Sequence, residues 1–162
     1  GEAQALSSLA GVARENGELE RALELFHESR SLCEAIGFRW WLAGMLASIG
    51  DVLAELGRLD EARSSVQQAL TVSHAMHDRR ALVYELRLLA EIAADAEDER
   101  LAGFLLGAAE AEHERAPVGM WPVVHRSAVP TRLLQDTNPE FERGREEGRR
   151  LELDAAVSAA LG

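Results

Sequence analysis

Five histidines are the first side chains in this sequence that could do chemistry, because neutral imidazole is a common metal ligand. His74 and His77 lie three residues apart, a spacing that places both on one face of a helix. Two ligands do not make a metal site and the sequence places no third, so a solvated helix end is the better interpretation. Glu110 and His113 match the Glu-x-x-His pattern of di-iron helices, but the required second copy is missing. We therefore expect no metal.

No nucleophile in the sequence stands in a recognisable catalytic setting. The single cysteine, Cys33, lies at helical core spacing and is expected to be a small buried residue. The sequence contains neither the Gly-x-Ser-x-Gly elbow of hydrolases nor the phosphate-binding loop G-x-x-x-x-G-K-[ST]. The acidic run 97–99 suits a solvated turn followed by the first turn of a helix. We predict a non-enzymatic protein without a cofactor.

The charge balance limits the partners that the chain can have. Its 162 residues carry a formal net charge of −11, which repels nucleic acid and disfavours an anionic membrane surface. No apolar run approaches the ~20 residues that cross a bilayer, and a lone cysteine fits a reducing compartment. We expect a cytoplasmic protein that binds neither nucleic acid nor membrane. The first residue is not Met, so we also expect a fragment of a longer chain.

The elements that carry these side chains repeat along the chain. Small and apolar residues recur with a constant period of about 40 residues, without an insertion. Three such sets are Leu9, Ile49 and Leu89; Ala22, Ala62 and Ala102; Phe26, Val66 and Leu106. Gly17 and Gly57 suit the left-handed conformation that ends a helix. Glu97 takes their place in the third unit, where Asp98 can cap the next helix. The spacing predicts helices near 3–15, 19–36, 39–56, 60–77, 80–96 and 99–115.

The pattern resembles the tetratricopeptide repeat. The stretches SLAGVARENGELERALELF and SIGDVLAELGRLDEARSSV carry the small residue, the turn glycine, the alanine and the large apolar residue in that family's order. The family's usual period is about 34 residues, and the longer units here resemble the variety found in bacterial regulators and the kinesin light chain. The resemblance implies an all-α, right-handed solenoid of three helical hairpins over 1–115. It also implies a scaffold that binds a protein or peptide.

In this family the first helix of each hairpin lines a concave groove. Carried onto this sequence, its groove positions with side chains able to bind a ligand are Gln4, Ser7, Arg14, Asp51, Tyr84, Arg87 and Glu91. The last three could clamp a polar backbone or a carboxylate. The alternative is that Arg87 and Glu91 form only a surface pair at i,i+4 spacing. Trp40 and Trp41 open the third helix about 100° apart, so we expect one to be buried and the other to form a contact.

Residues 116–162 do not continue the repeat and are expected to belong to the same domain. Asn138, Pro139 and Glu140 read as a helix start, and a last helix is expected near 153–161. We expect this tail to cap the array, with Trp121 pinning it in place. The alternative is that the tail folds into the groove and competes with a ligand.

Two stretches, LLGAAEA at 105–111 and EGRRLELDAAVSAAL at 147–161, resemble the C-terminal end of bacterial signal-transduction ATPase regulators. The resemblance implies the sensor or partner-binding arm of such a regulator, whose ATPase and DNA-binding domains would lie elsewhere in the parent chain. Two alternatives remain open: a domain that senses a small-molecule effector, and a homodimer formed through the exposed end of the array.

Overall fold

The computed structural model describes residues 1–117 and 138–162, which are helical and contain no strand. The helices are α1 (Glu2–Glu15), α2 (Leu19–Ile36), α3 (Arg39–Glu55), α4 (Leu59–Ala75), α5 (Arg79–Asp95), α6 (Glu99–Arg115), α7 (Pro139–Arg149) and α8 (Leu153–Leu161). Each predicted helix is present within about two residues of its expected ends. The predicted fold class, an all-α solenoid of helical hairpins, is confirmed. Trp121 lies outside the described residues.

The turns between the first six helices are evenly spaced along the chain and share one backbone conformation. Backbone φ is positive at Gly17, Gly37, Gly57, His77 and Glu97, where it measures 80°, 70°, 75°, 55° and 60°. The turn at Glu97 therefore keeps its shape although a residue with a side chain occupies the left-handed position. The Asp98 side chain that follows accepts a hydrogen bond from the Leu101 amide at 3.1 Å, which confirms the predicted helix cap.

The first compact unit, residues 1–76, contains two stacked hairpins. Buried hydroxyls bridge the helices of each hairpin: Ser29 donates to the Ala3 carbonyl at 2.7 Å, and Ser65 donates to the Leu46 carbonyl at 2.8 Å. In the second hairpin α3 approaches α4 so closely that a Cβ at Gly50 would lie 3.0 Å from the Ala62 carbonyl oxygen. Small residues thus set the distance between paired helices, as the repeat pattern predicts.

The second compact unit, residues 77–162, contains the hairpin of α5 and α6 together with α7 and α8. The second helices α2, α4 and α6 begin at Leu19, Leu59 and Glu99, and α7 begins at Pro139, at the same interval. The starting register of the repeat therefore continues into the tail. The Asn138 side chain caps α7 by accepting from the Glu140 amide at 3.0 Å, as predicted.

Helices α6 and α7 run in the same direction and touch through their backbones. Four glycines form this surface, which we call the glycine contact: Gly103 and Gly107 on α6, Gly144 and Gly148 on α7. A Cβ at Gly103 would lie 2.0 Å from the Phe141 carbonyl oxygen, and Cβ atoms at the other three would lie 2.0–2.2 Å from carbonyl oxygens of the facing helix. Only glycine permits this approach.

Ion pairs border the glycine contact. Arg145 on α7 donates two hydrogen bonds to the Glu110 carboxylate of α6, at 2.9 and 3.1 Å. Arg149 donates to Glu110 at 3.2 Å and to Glu114 at 2.6 Å. The hydrogen bond from Arg145 to Glu110 raises the pKa of its guanidinium, against the effect of burial. These pairs fix which residues of α7 face α6.

Candidate functional site

An ion-pair network joins the first helices of the two hairpins in the first unit. One Nη of Arg14 on α1 lies 2.5 Å from an Oδ of Asp51 on α3, and its Nε donates to Glu55 at 2.6 Å. Asp51 and Glu55 share a face of α3 because they are four residues apart. The structure therefore brings together two predicted groove residues, Arg14 and Asp51, and binds them to each other.

The Arg14 and Asp51 side chains of this network are largely buried. Asp51 is only 2% exposed, and the Arg14 side chain is 12% exposed. Burial alone lowers the pKa of the Arg14 guanidinium, but the Asp51 and Glu55 carboxylates more than offset it, so the pKa is raised. Because the Arg14 guanidinium is shared by two carboxylates of α3, this network is suited to holding α1 against α3.

Two predicted groove residues near the start of α1 remain accessible. Gln4 is exposed and Ser7 is half-buried, and the Ser7 hydroxyl donates to the Gln4 carbonyl at 3.2 Å. This local bond along the helix leaves both lone pairs of the Ser7 oxygen able to accept a bond from a ligand. The pair provides a small polar patch on the first helix of the array.

The predicted cluster in the second unit lies along one face of α5. Tyr84 and Arg87 are half-buried there, whereas Glu91 is only 8% exposed. Glu91 is therefore much less accessible than a residue of a solvated surface pair would be. Arg87 presents a guanidinium whose five donors suit a carboxylate.

Three aromatic side chains cluster at the turn between the first two hairpins, and the sequence predicted a contact for only one of the two tryptophans among them. Phe38 stacks on Trp41 with ring centroids 6.1 Å apart, and Trp40 lies 5.6 Å from Trp41. Both tryptophans are half-buried, so the expectation that one of them is buried was wrong. Each tryptophan ring is partly covered because the rings pack against one another at the start of α3.

Beside this cluster lies an open cleft of about 320 Å³. Leu32, Ile36 and Phe38 form its apolar side, and the first residues of α1 form the other side. The sequence did not predict the cleft. Its one available signal is that two large apolar residues, Ile36 and Phe38, lie on either side of Gly37, the left-handed residue that ends α2. Its apolar lining could accept a bulky side chain.

Three further observations concern the described residues. No group of three His, Cys, Asp or Glu side chains at 1–117 and 138–162 is arranged to hold a metal ion. Over the same residues, none of the helices has both the length and the hydropathy needed to span a membrane. Cys33 is buried, and burial raises the pKa of its thiol, which makes the thiolate scarce.

Comparison with known proteins supports the repeat over part of the chain. Residues 1–75 match the family described as tetratricopeptide repeat, and this range covers the two hairpins of the first unit. Tetratricopeptide repeats generally act as non-catalytic scaffolds that mediate interactions between proteins. Neither the curated proteins nor the solved structures provided a match to the chain.

Proposed function

We propose that this chain is a non-catalytic scaffold that binds a protein or peptide through the groove-side positions of its first helices. The observation that supports it best is the tetratricopeptide match over residues 1–75, since such repeats generally bind proteins. Of the predicted positions, Gln4, Ser7, Tyr84 and Arg87 are exposed or half-exposed and can reach a ligand. Arg14 and Asp51 instead position α1 and α3.

Charge indicates the chemistry of the partner. The net charge of −11 favours a partner whose surface is on balance basic. Arg87 adds a local requirement, because a half-buried guanidinium gains most from a carboxylate that can accept two parallel hydrogen bonds. The ligand we propose is therefore a peptide segment with basic side chains and one carboxylate near Arg87.

Site-specific photo-crosslinking tests this surface. A photoreactive residue is placed at Gln4 and, separately, at Arg87, with matched controls at Gln68 and Arg63 on α4. Gln68 is exposed like Gln4, and Arg63 is half-buried like Arg87. We expect a protein to be crosslinked from position 4 and from position 87, and none from the controls. Equal crosslinking from all four positions would remove the assignment to the first helices.

We propose further that the chain is the regulatory or sensor arm of a bacterial ATPase-type transcriptional regulator. The support is the resemblance of 105–111 and 147–161 to the end of such regulators. The two stretches also meet in space, because Gly107 and Gly148 both belong to the glycine contact. Sequencing the reading frame on both sides tests the proposal. A phosphate-binding loop upstream is expected, and a reading frame without an ATPase would contradict it.

Self-association is the second candidate function. The observation that favours it is the outer face of α1, where Leu9 and Val12 each keep more than half of their surface exposed. Large apolar side chains that stand together on a helix face commonly mark an interaction surface.

A further inference from the structure

Helix α7 carries little apolar surface for a helix that packs against another. Its 11 residues, PEFERGREEGR, include four Glu and three Arg, and Phe141 is their one large apolar side chain. The buried residues of α7 are Phe141, Gly144 and Gly148. Glycine has no side chain to remove from water, so Phe141 supplies most of the apolar burial on this helix. Apolar burial therefore accounts for only part of what holds α7 in place.

Ion pairs with α6 supply much of the remaining attachment. Arg145 and Arg149 share the Glu110 carboxylate, and Arg100 donates to Glu147 at 2.6 Å. The Arg100 and Glu147 side chains are 54% and 46% exposed, and the Arg149 side chain is 38% exposed. Ions in solution screen pairs that are this accessible, so the attraction falls as salt is added. The attachment of α7 should therefore depend on ionic strength.

Helix α8 is held by contacts of a different kind. Its buried residues, Ala156, Val157 and Ala160, are all apolar, and α8 packs against α5 and α6. In the turn before α8, the Leu151 carbonyl accepts a hydrogen bond from Arg115 of α6. Screening by salt does not act on apolar contacts. We expect α8 and this turn to stay attached at salt concentrations that loosen α7.

We propose that α7 is an electrostatic strap, which raised ionic strength releases from α6 while α8 stays in place. The strap opens about the turn at 150–152 and uncovers the α6 face that contains Gly103, Phe104 and Gly107, so the second unit presents a different surface. The screening length falls from about 10 Å in 0.1 M salt to about 3 Å in 1 M salt, and the release lies between these concentrations. The strap involves none of the groove-side positions, so its test is independent of the proposed ligand.

Hydrogen–deuterium exchange of the full chain in about 0.1 M and about 1 M sodium chloride, at one pH, tests the strap. Amides in 139–149 should exchange at least tenfold faster at the higher concentration. Amides of α4 and α8 should change less than twofold, and they also correct for any effect of salt on the exchange chemistry itself. Unchanged protection of α7, or equal acceleration of all three helices, would overturn the proposal.

Glu110→Gln tests whether the ion pairs are responsible. It removes the charge that Arg145 and Arg149 share and keeps the size of the side chain. Helix α7 should then exchange at least tenfold faster already in 0.1 M salt. Glu146→Gln is the matched control, because it changes the charge equally on α7 itself, where Glu146 is 73% exposed and pairs with Arg150 four residues along the chain. It should exchange like the unaltered protein. Equal rates in the two variants, or faster exchange of every helix in Glu110→Gln, would count against the strap.

Discussion

Arg14 and Asp51 form a buried ion pair that joins the first helices of two consecutive hairpins, with Nη and Oδ 2.5 Å apart. The two residues come from equivalent helices of adjacent repeats, so the ion pair links one hairpin directly to the next. Its partner Glu55 extends the contact along α3.

Asp51→Ala should destabilise the first unit by about 2–3 kcal/mol, because it leaves a mostly buried guanidinium with Glu55 alone. Urea unfolding followed by circular dichroism measures the change. The matched control is Glu24→Ala, which breaks the exposed Arg21–Glu24 pair and should cost less than about 0.5 kcal/mol. Equal losses in the two variants would mean that the buried pair has no special role.

Gly103→Ala should detach α7 from α6. Its new Cβ would lie 2.0 Å from the Phe141 carbonyl oxygen, and backbone on both sides must move to accommodate it. We expect faster amide exchange throughout 139–149, measured by hydrogen–deuterium exchange. Gly11→Ala on α1 is the control, since its Cβ would meet no neighbouring atom within 4 Å and alanine favours helices. Unchanged protection of α7 in Gly103→Ala would show that the helices are not in backbone contact.

Glu97→Gly should stabilise the second unit by about 1 kcal/mol, because φ at Glu97 is 60°, a conformation that strains a residue with a Cβ and leaves glycine unstrained. The reverse change at the corresponding turn, Gly57→Glu, should cost a similar amount. Its Cβ would meet no atom within 4 Å, so only the backbone is strained. Thermal unfolding of both variants checks the sign, and a change in the same direction in both would contradict the argument.

The Cys33 thiol should react with a thiol reagent only when the first hairpin opens. Its side chain is fully buried, and burial raises its pKa, so both access and thiolate are limited at neutral pH. Ser31→Cys, two residues away on the exposed side of α2, should label rapidly. Similar rates for the two thiols in native buffer would mean that α2 is not packed as described.

The sequence predicts the local structure well and the contacts of the tail poorly. Helix ends and the turn at Glu97 follow from periodicity and capping, which depend on neighbouring residues. The glycine contact joins Gly103 to Phe141, and no local pattern states which helix a glycine pair will face. In the candidate site, the family positions located Arg14 and Asp51 but did not show that the two would neutralise each other, since that depends on the distance between α1 and α3.

The even spacing of the positive-φ turns has a consequence for how such a chain can change in length. A segment that runs from one of these turns to the second turn after it contains two complete helices. Deleting or duplicating that segment leaves the end of every neighbouring helix unchanged. Duplications and deletions of this kind should be tolerated among the first two hairpins. The third is different, because α6 alone carries Gly103 and Gly107, whereas α4 has Arg63 and Gln67 at these places. We therefore expect the number of repeats before α6 to vary, and α6 itself to be retained.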